Sequence, residues 1–142
     1  MTGLLVDPPS QMITVAALTA VFADFYPDIE VSTDKPSEER ARSLARFVVI
    51  SRIGGGRSNF ATSAPRVLVE CYSTQREFSA QTEAERLANL TTAALGHAAG
   101  GTYAGYEIRD WSDDENIARH RDPNFSHERF QFTGTLSIAL QQ

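Results

Sequence analysis

Apolar residues recur along the chain with two different spacings, and these spacings divide it into predicted helices and strands. In the stretches 12–25 and 79–95 they return every three to four positions, which is typical of amphipathic helices. The first stretch follows the sequence DPPS at 7–10, where prolines and capping side chains favour a helix start. The second is capped either by Ser79 or by Thr82 a turn later. Two helices are therefore expected.

Two β-branched runs, at 47–50 and 67–72, predict the arms of a β-hairpin. About ten residues rich in glycine separate the runs, which is longer than the usual two to five residues of a hairpin connection. Connections of that length tend to be functional or disordered. We therefore expect a long and flexible hairpin tip between the two strands.

Three further stretches predict strands, and two others are polar. Residues 29–33 and 103–111 are short strand candidates, whereas 34–42 and 112–127 are charged, and the second of these is expected to be a loop. The stretch 130–140 alternates strictly between apolar residues and Gln, Thr, Ser or Ala. One face of this last strand should lie in the core, and the other should be hydroxyl-rich and either wet or in contact with a partner.

The order of these elements predicts an α+β fold in a single domain over residues 1–142. Two hairpins separated by a helix, without regular alternation of strand and helix, indicate a mixed or antiparallel sheet of about four to five strands. The two helices should pack on one face of that sheet. A chain of this length buries roughly 68 to 70% of the surface that it exposes when unfolded, so a core without disulfides or metals is expected.

The glycine-rich stretch RIGGGRSNFATSAPRV, residues 52–67, looks at first like a phosphate-binding loop. A P-loop needs a lysine after its glycines and a helix that begins there, and the dinucleotide fingerprint also opens a helix. Here Arg57 follows the glycines, and the next element is a strand. The freedom of the glycine backbone is therefore the better explanation of the pattern.

Charge and composition narrow the choice of partners. The 18 acidic and 13 basic residues leave a net charge of −5, which repels a polyanion, so specific nucleic-acid binding is not expected. All basic residues but Lys35 are arginine, which suits planar contacts at interfaces, although the base composition of a genome produces the same bias. Neither a signal peptide nor a membrane-spanning segment is expected, because no apolar run approaches 18 residues.

Residues that usually carry catalysis or metals form no pattern in this sequence. Cys71 is the only cysteine, which excludes an intrachain disulfide, and it lies in an apolar run where cysteine is usually buried. A metal site from His120, His127 and Asp122 has low weight, because these residues lack metal-site spacing and loop histidines are usually solvated. His97 likewise has no ligand-spaced partner. No enzyme activity, cofactor or metal is predicted.

The layout of the whole chain resembles the tail terminator proteins of long-tailed, siphovirus-type bacteriophages. The resemblance rests on an N-terminal helix, a long-tipped hairpin whose second arm is PRVLVECY at 65–72, a helix at 83–95 containing AERLA, and the final strand ERFQFTGTL at 128–136. It covers almost the whole chain and is one of element order more than of any single motif.

Membership of that family implies an α+β subunit that closes into a homo-oligomeric, hexameric ring. Such a ring caps the head-proximal end of the tail tube in the virion, stops polymerisation of the major tail protein and receives the head-tail connector proteins after assembly in the host cytoplasm. Residues at the hairpin tip are then expected to contact a neighbouring subunit or the tube; they are Arg52, Gly54, Gly55, Gly56, Arg57, Ser58, Asn59, Phe60 and Arg66. The simplest competing view is that these arginines are merely solvated.

Two alternatives to a tail terminator stay open at this point. A head-tail connector or tail completion protein of similar size and fold has the same expected layout. A small enzyme or ligand-binding α+β domain that uses the glycine-rich stretch belongs to a different class. A ring of subunits favours the first two functions, and a monomer with a ligand-dependent melting shift favours the third.

Overall fold

Three helices and a mixed seven-stranded sheet make up the described part of the chain in a computed structural model, which describes residues 6–75 and 77–140. The helices are α1 (Ser10–Phe25), α2 (Glu38–Ala41) and α3 (Ala80–Ala98). The strands are β1 (Glu30–Ser32), β2 (Arg46–Asn59), β3 (Thr62–Ser73), β4 (Thr102–Tyr103), β5 (Tyr106–Asp113), β6 (Ala118–Arg119) and β7 (Glu128–Ala139). The α+β class is confirmed, and short strands bring the number above the expected four to five.

The sheet has the order β1-β2-β3-β7-β5-β4, and β6 also pairs with β7. Only β1 and β2 run parallel, and every other neighbouring pair is antiparallel. The last strand of the chain therefore lies between the β2–β3 hairpin and β5. The expected hairpin at the start of the sheet is present, and β5 pairs with β7 across a connection that contains β6.

Both long helices pack on the same face of the sheet, as the sequence predicted. Leu18 and Phe22 of α1 and Leu87 and Leu95 of α3 are almost completely buried. They join the inward side chains of the sheet in one cluster, which includes Val48, Ile50, Val67, Val69, Cys71, Phe130 and Phe132. The short α2 covers the other face, where Ala41 packs with Phe47, Val49 and Tyr72. We refer to this second face as the outer face.

Local sequence explains where the long helices begin and end. Ser79 caps α3, because its hydroxyl accepts a hydrogen bond from the amide of Thr82 at 3.1 Å, and Gly100 follows the helix with a positive φ of 94°. The cap of α1 was predicted less well. Pro9 occupies the cap position, and no side chain caps the helix. The short α2, capped by Ser37, was not predicted at all.

The alternation predicted for the last strand is present in β7. Phe130, Phe132, Leu136 and Ile138 are buried on the helix side, and the residues between them are partly exposed on the outer face. Gly134 occupies a buried position in this series because the Trp111 ring lies where a Cβ would stand. The glycine therefore makes room for the tryptophan of β5.

Candidate functional site

The predicted flexible tip between the strands of the hairpin is wrong. Strand β2 continues through the three glycines, which pair with β3 in the register Gly54 with Arg66, Gly55 with Pro65 and Gly56 with Ala64. Only residues 60–61 lie between the two strands. Glycine has a low intrinsic preference for β-strands. Here, however, backbone pairing with β3 supplies hydrogen bonds that need no side chain.

The glycines shape the hairpin through its backbone. Gly55 has a positive φ of 74°, and a Cβ at this position would collide with the Ala64 carbonyl of β3. Register shifts occur on both sides, between Arg52 and Gly54 and between Arg57 and Asn59. Bulges of this kind bend a strand and increase its twist. The stretch is thus a bulged strand, and its geometry differs from that of a loop around phosphate.

Arg52 is engaged within its own strand. Its guanidinium donates to the carbonyl of Gly55 at 2.9 Å and, less closely, to that of Gly54 at 3.3 Å. The backbone amide of Arg52 donates to the Gln11 side chain of α1 at 2.7 Å. The side chain therefore lies along the free edge of β2, which is the side of the strand facing away from β3.

Arg66 lies on the other face of the sheet from Arg52. It pairs with the Asp114 carboxylate at 2.7 Å, and the same carboxylate accepts a hydrogen bond from Thr133. The hydroxyl of Thr133 and then Arg66 hold the pKa of Asp114 below its ordinary value. The structure therefore separates two arginines that the sequence had grouped, and Arg66 is part of a network on the outer face.

The tip itself is an ordered tight turn with an exposed aromatic ring. The Asn59 side chain accepts a hydrogen bond from the amide of Ala61 at 2.8 Å, and Ser58 donates to the carbonyl of Thr62 at 3.1 Å. Phe60 is 72% exposed, the highest value among the exposed large hydrophobic residues of the described chain. Arg57 approaches Asp7 at 4.0 Å. Arg57 and Phe60 therefore stand at the tip of the hairpin, whose second strand is paired with β7 as far as Thr62.

A second polar cluster lies on the outer face at the opposite end of the hairpin. Arg129 donates to Glu70 at 3.0 Å and to the Tyr72 hydroxyl at 3.3 Å. Burial, offset in part by the Arg129 hydrogen bond, raises the pKa of Tyr72 to about 12. The three side chains satisfy one another, and this cluster stabilises the fold.

The cysteine and the histidines that the sequence analysis considered for catalysis or metal binding are either buried in the fold or exposed to solvent. Cys71 is buried, as predicted, and desolvation raises the pKa of its thiol to about 12. His127 is buried against Phe47, with Nε2 2.7 Å from the Leu44 carbonyl. His97 and His120 are exposed. Within residues 6–75 and 77–140, no three His, Cys, Asp or Glu side chains are grouped closely enough to hold a metal ion.

Several clefts border the helices in the described part of the chain. One of about 330 Å³ is lined by the charged side chains Arg46, Glu83 and Arg86 together with apolar residues. A second, of about 340 Å³, is an apolar groove between α1 and α3 beside Phe25. Arg52 lines the third, of about 400 Å³, at the N-terminus of α1. The glycines at 54–56 line none of these three clefts.

No protein-family model and no curated protein sequence matches the chain, so a proposal of function rests on the structure itself. In the described part of the chain, neither of the long helices has an apolar stretch sufficient to cross a bilayer.

Proposed function

We propose that this protein is a structural assembly protein that caps a bacteriophage tail tube as a ring, in the manner of a tail terminator. The observation that carries the proposal is the β2–β3 hairpin, whose base is held in the core while its tip presents Phe60 to solvent on a hydrogen-bonded arm. A large aromatic side chain on a rigid support is a typical anchor of a protein interface, because it buries much area for little loss of conformational freedom.

Ring closure sets a geometrical requirement on each subunit. A cyclic assembly of more than two copies joins two different surfaces of the chain, and the rotation between neighbours must divide a full turn. The exposed tip of the hairpin supplies one such surface, distinct from the helix-covered face of the sheet. In the proposed ring, Phe60 and Arg57 contact either the next subunit or the outermost ring of tube protein.

A ligand-binding function through the glycine-rich stretch is less well supported. The three glycines lie in a paired strand and bulge, and the nearby Arg52 guanidinium is bonded to the carbonyls of that same strand. A phosphate site needs several backbone amides that converge on one point. The head-tail connector alternative predicts a similar ring, and tube length distinguishes it from a terminator.

The test is an assembly reaction with the cognate major tail protein, viewed by electron microscopy. Addition of the wild-type chain should arrest tube growth and leave a cap at one end. A Phe60→Ser variant should lose capping, because the anchor at the hairpin tip is removed.

A matched control is Phe78→Ser, since Phe78 is 69% exposed but lies just before α3, beyond the end of β3 opposite the tip. This variant should cap tubes normally. Tubes that grow equally long with and without the wild-type chain would refute the terminator function. Equal capping by wild type and Phe60→Ser would remove the hairpin tip from the mechanism.

A further inference from the structure

We propose that neighbouring copies of this chain join edge to edge, with the free edge of β2 in one copy pairing with the free edge of β5 in the next. The inference rests on the proposed ring and specifies how its subunits are joined. The partner is a second copy of the chain, and the contact is a short antiparallel β-ladder.

At each edge of the sheet, one strand has a stretch that no other described strand pairs, although on β2 the Gln11 side chain of α1 bonds the Arg52 amide. On β2, the parallel strand β1 covers only residues 47–49. On β5, the strand β4 and the turn before it bond only to residues 106–108. Beyond these positions, no strand in the described part of the chain pairs with the outer side of either β2 or β5. The register shifts then leave two segments of equal length, 54–57 and 110–113, and Gly55 in the first of them has a positive φ.

The two free segments lie at the same height in the sheet. Reading across the registers, Gly54 is level with Arg66, Thr135 and Ser112. One step towards the base of the hairpin, the next row consists of Arg52, Val67, Gly134 and Asp113. If a second copy lies beside the sheet with its strands at the same height, the free segment of β5 in one copy is therefore next to the free segment of β2 in the other.

Strand direction also fits the pairing. Three successive antiparallel steps lead from β2 through β3 and β7 to β5, so β2 and β5 run in opposite directions. When copies are related by rotation about an axis roughly along the strands, β5 of one copy meets β2 of the next as an antiparallel pair. This ladder joins two different edges, as ring closure requires.

The charged side chains along the two free edges are consistent with the same contact. The free part of β2 carries Arg52 and Arg57, the latter 4.0 Å from Asp7, while that of β5 carries Asp110 and Asp113 beside Arg109. The Asp110 side chain makes no hydrogen bond or ion pair with another described residue, and its backbone lies opposite Ser137 of β7. In the free subunit Arg52 satisfies the carbonyls of Gly54 and Gly55, as natural proteins commonly guard an open edge with charge. Pairing then transfers its guanidinium to the acidic edge.

A ladder of four residues is a small contact, which explains how a subunit stays soluble until it assembles. Each subunit of a closed ring makes the contact twice, and docking on the tube raises the local concentration of edges. The ladder therefore forms stably in the ring and weakly between two isolated copies.

Cysteine cross-linking between two single variants tests the pairing directly. Gly54→Cys is mixed with Ser112→Cys, and in parallel with Asp110→Cys to allow a shift of two residues in register. The mixtures are oxidised mildly in the presence of tubes. Gly54 has open space where a Cβ would stand, Ser112 and Asp110 are exposed, and the native Cys71 is buried. A disulfide-linked dimer is expected, in at least about tenfold excess over Gly54→Cys mixed with Thr19→Cys on the exposed side of α1.

The outcomes separate the two proposals. Capped tubes or rings that show no cross-link above the Thr19→Cys control would overturn the edge pairing and leave the capping function intact. Wild-type chain that neither forms rings nor arrests tube growth would overturn the proposed function together with the pairing that rests on it. Thermal melts of each variant confirm that the cysteines leave the subunit folded.

Discussion

The base and the distal part of the β2–β3 hairpin belong to the same two strands but have opposite environments. At the base, Val48 faces the helices and Phe47 faces α2, and both are buried. In the distal part, Gly55 and residues 57–60 are exposed, although Ser63 and Pro65 of the facing strand β3 are buried. Backbone pairing is continuous through both. The base therefore supplies the stability of the fold, and the distal part is free to serve a contact without carrying the core.

The largest predicted effect breaks the base. Phe47 is 1% exposed and stacks on Tyr72 with 4.6 Å between ring centroids. Replacing it with alanine should lower the free energy of unfolding by about 3–5 kcal/mol, since it removes a large buried ring and leaves a cavity. The melting temperature should fall by roughly 10 °C, measured by circular dichroism.

Phe60→Ala is the matched substitution at the tip. It should change the free energy of unfolding by at most about 0.5 kcal/mol, because its ring already faces water. Similar losses from Phe47→Ala and Phe60→Ala would mean that the tip is packed in the folded protein, and the contrast within the hairpin would fail.

An intermediate effect is expected within the glycine stretch itself. Gly55→Ala should destabilise the chain by about 1–3 kcal/mol, since alanine would adopt a positive φ and its Cβ would press on the Ala64 carbonyl. Gly54→Ala should be nearly neutral, because its Cβ would meet no atom within 4 Å. Urea unfolding of the two variants tests whether the bulge at Gly55 is required; equal stability would show that the strand tolerates a regular ladder there.

A smaller effect is expected in the pH dependence of stability at the base of the hairpin. Burial, partly offset by the hydrogen bond to the Leu44 carbonyl, lowers the pKa of His127 below its ordinary value of 6.5. The unfolded chain therefore takes up a proton at this residue at a higher pH than the folded chain does. The contribution of His127 is fully present above about pH 6.5 and is lost as the pH falls from there through the folded pKa.

Urea unfolding at about pH 7.5 and about pH 5.5 measures this loss, with His127→Gln as the reference. The wild type should lose more stability than the variant between the two pH values. A parallel decline would assign the pH response to other groups. The exposed His97 and His120 serve as further controls, and their replacement by glutamine should leave the difference unchanged.

Sequence periodicity predicted much of this fold because its strongest patterns are imposed by the core. The stripe of α3 and the alternation of β7 follow directly from burial on one side. The four-residue α2 was missed because it is too short to show a period, and its capping Ser37 lies in a charged segment. The two-residue strands β4 and β6 carry no pattern of their own and exist through pairing with longer strands.

The sequence singled out residues 52–66 as a candidate site but did not predict their conformation. Glycine and exposed polar residues break the alternation that marks a strand, so β2 seemed to end near residue 50, nine residues before its actual end at Asn59. The faces of Arg52 and Arg66 depend on where the turn falls, and the turn at 60–61 has none of the usual Asn-Gly or Asp-Gly signals. A bulge shifts the register further. These properties arise from pairing with β3, and the conformational preferences of single residues carry no information about that pairing.

The most direct test of the account is an end-on view of the particle that caps a tube, by electron microscopy with class averaging. The proposed function predicts a closed ring of about six subunits, all related by one rotation, with their hairpins on the same side. Averages that show a two-fold dimer, an open helical array or a single bound subunit at the tube end would contradict the ring.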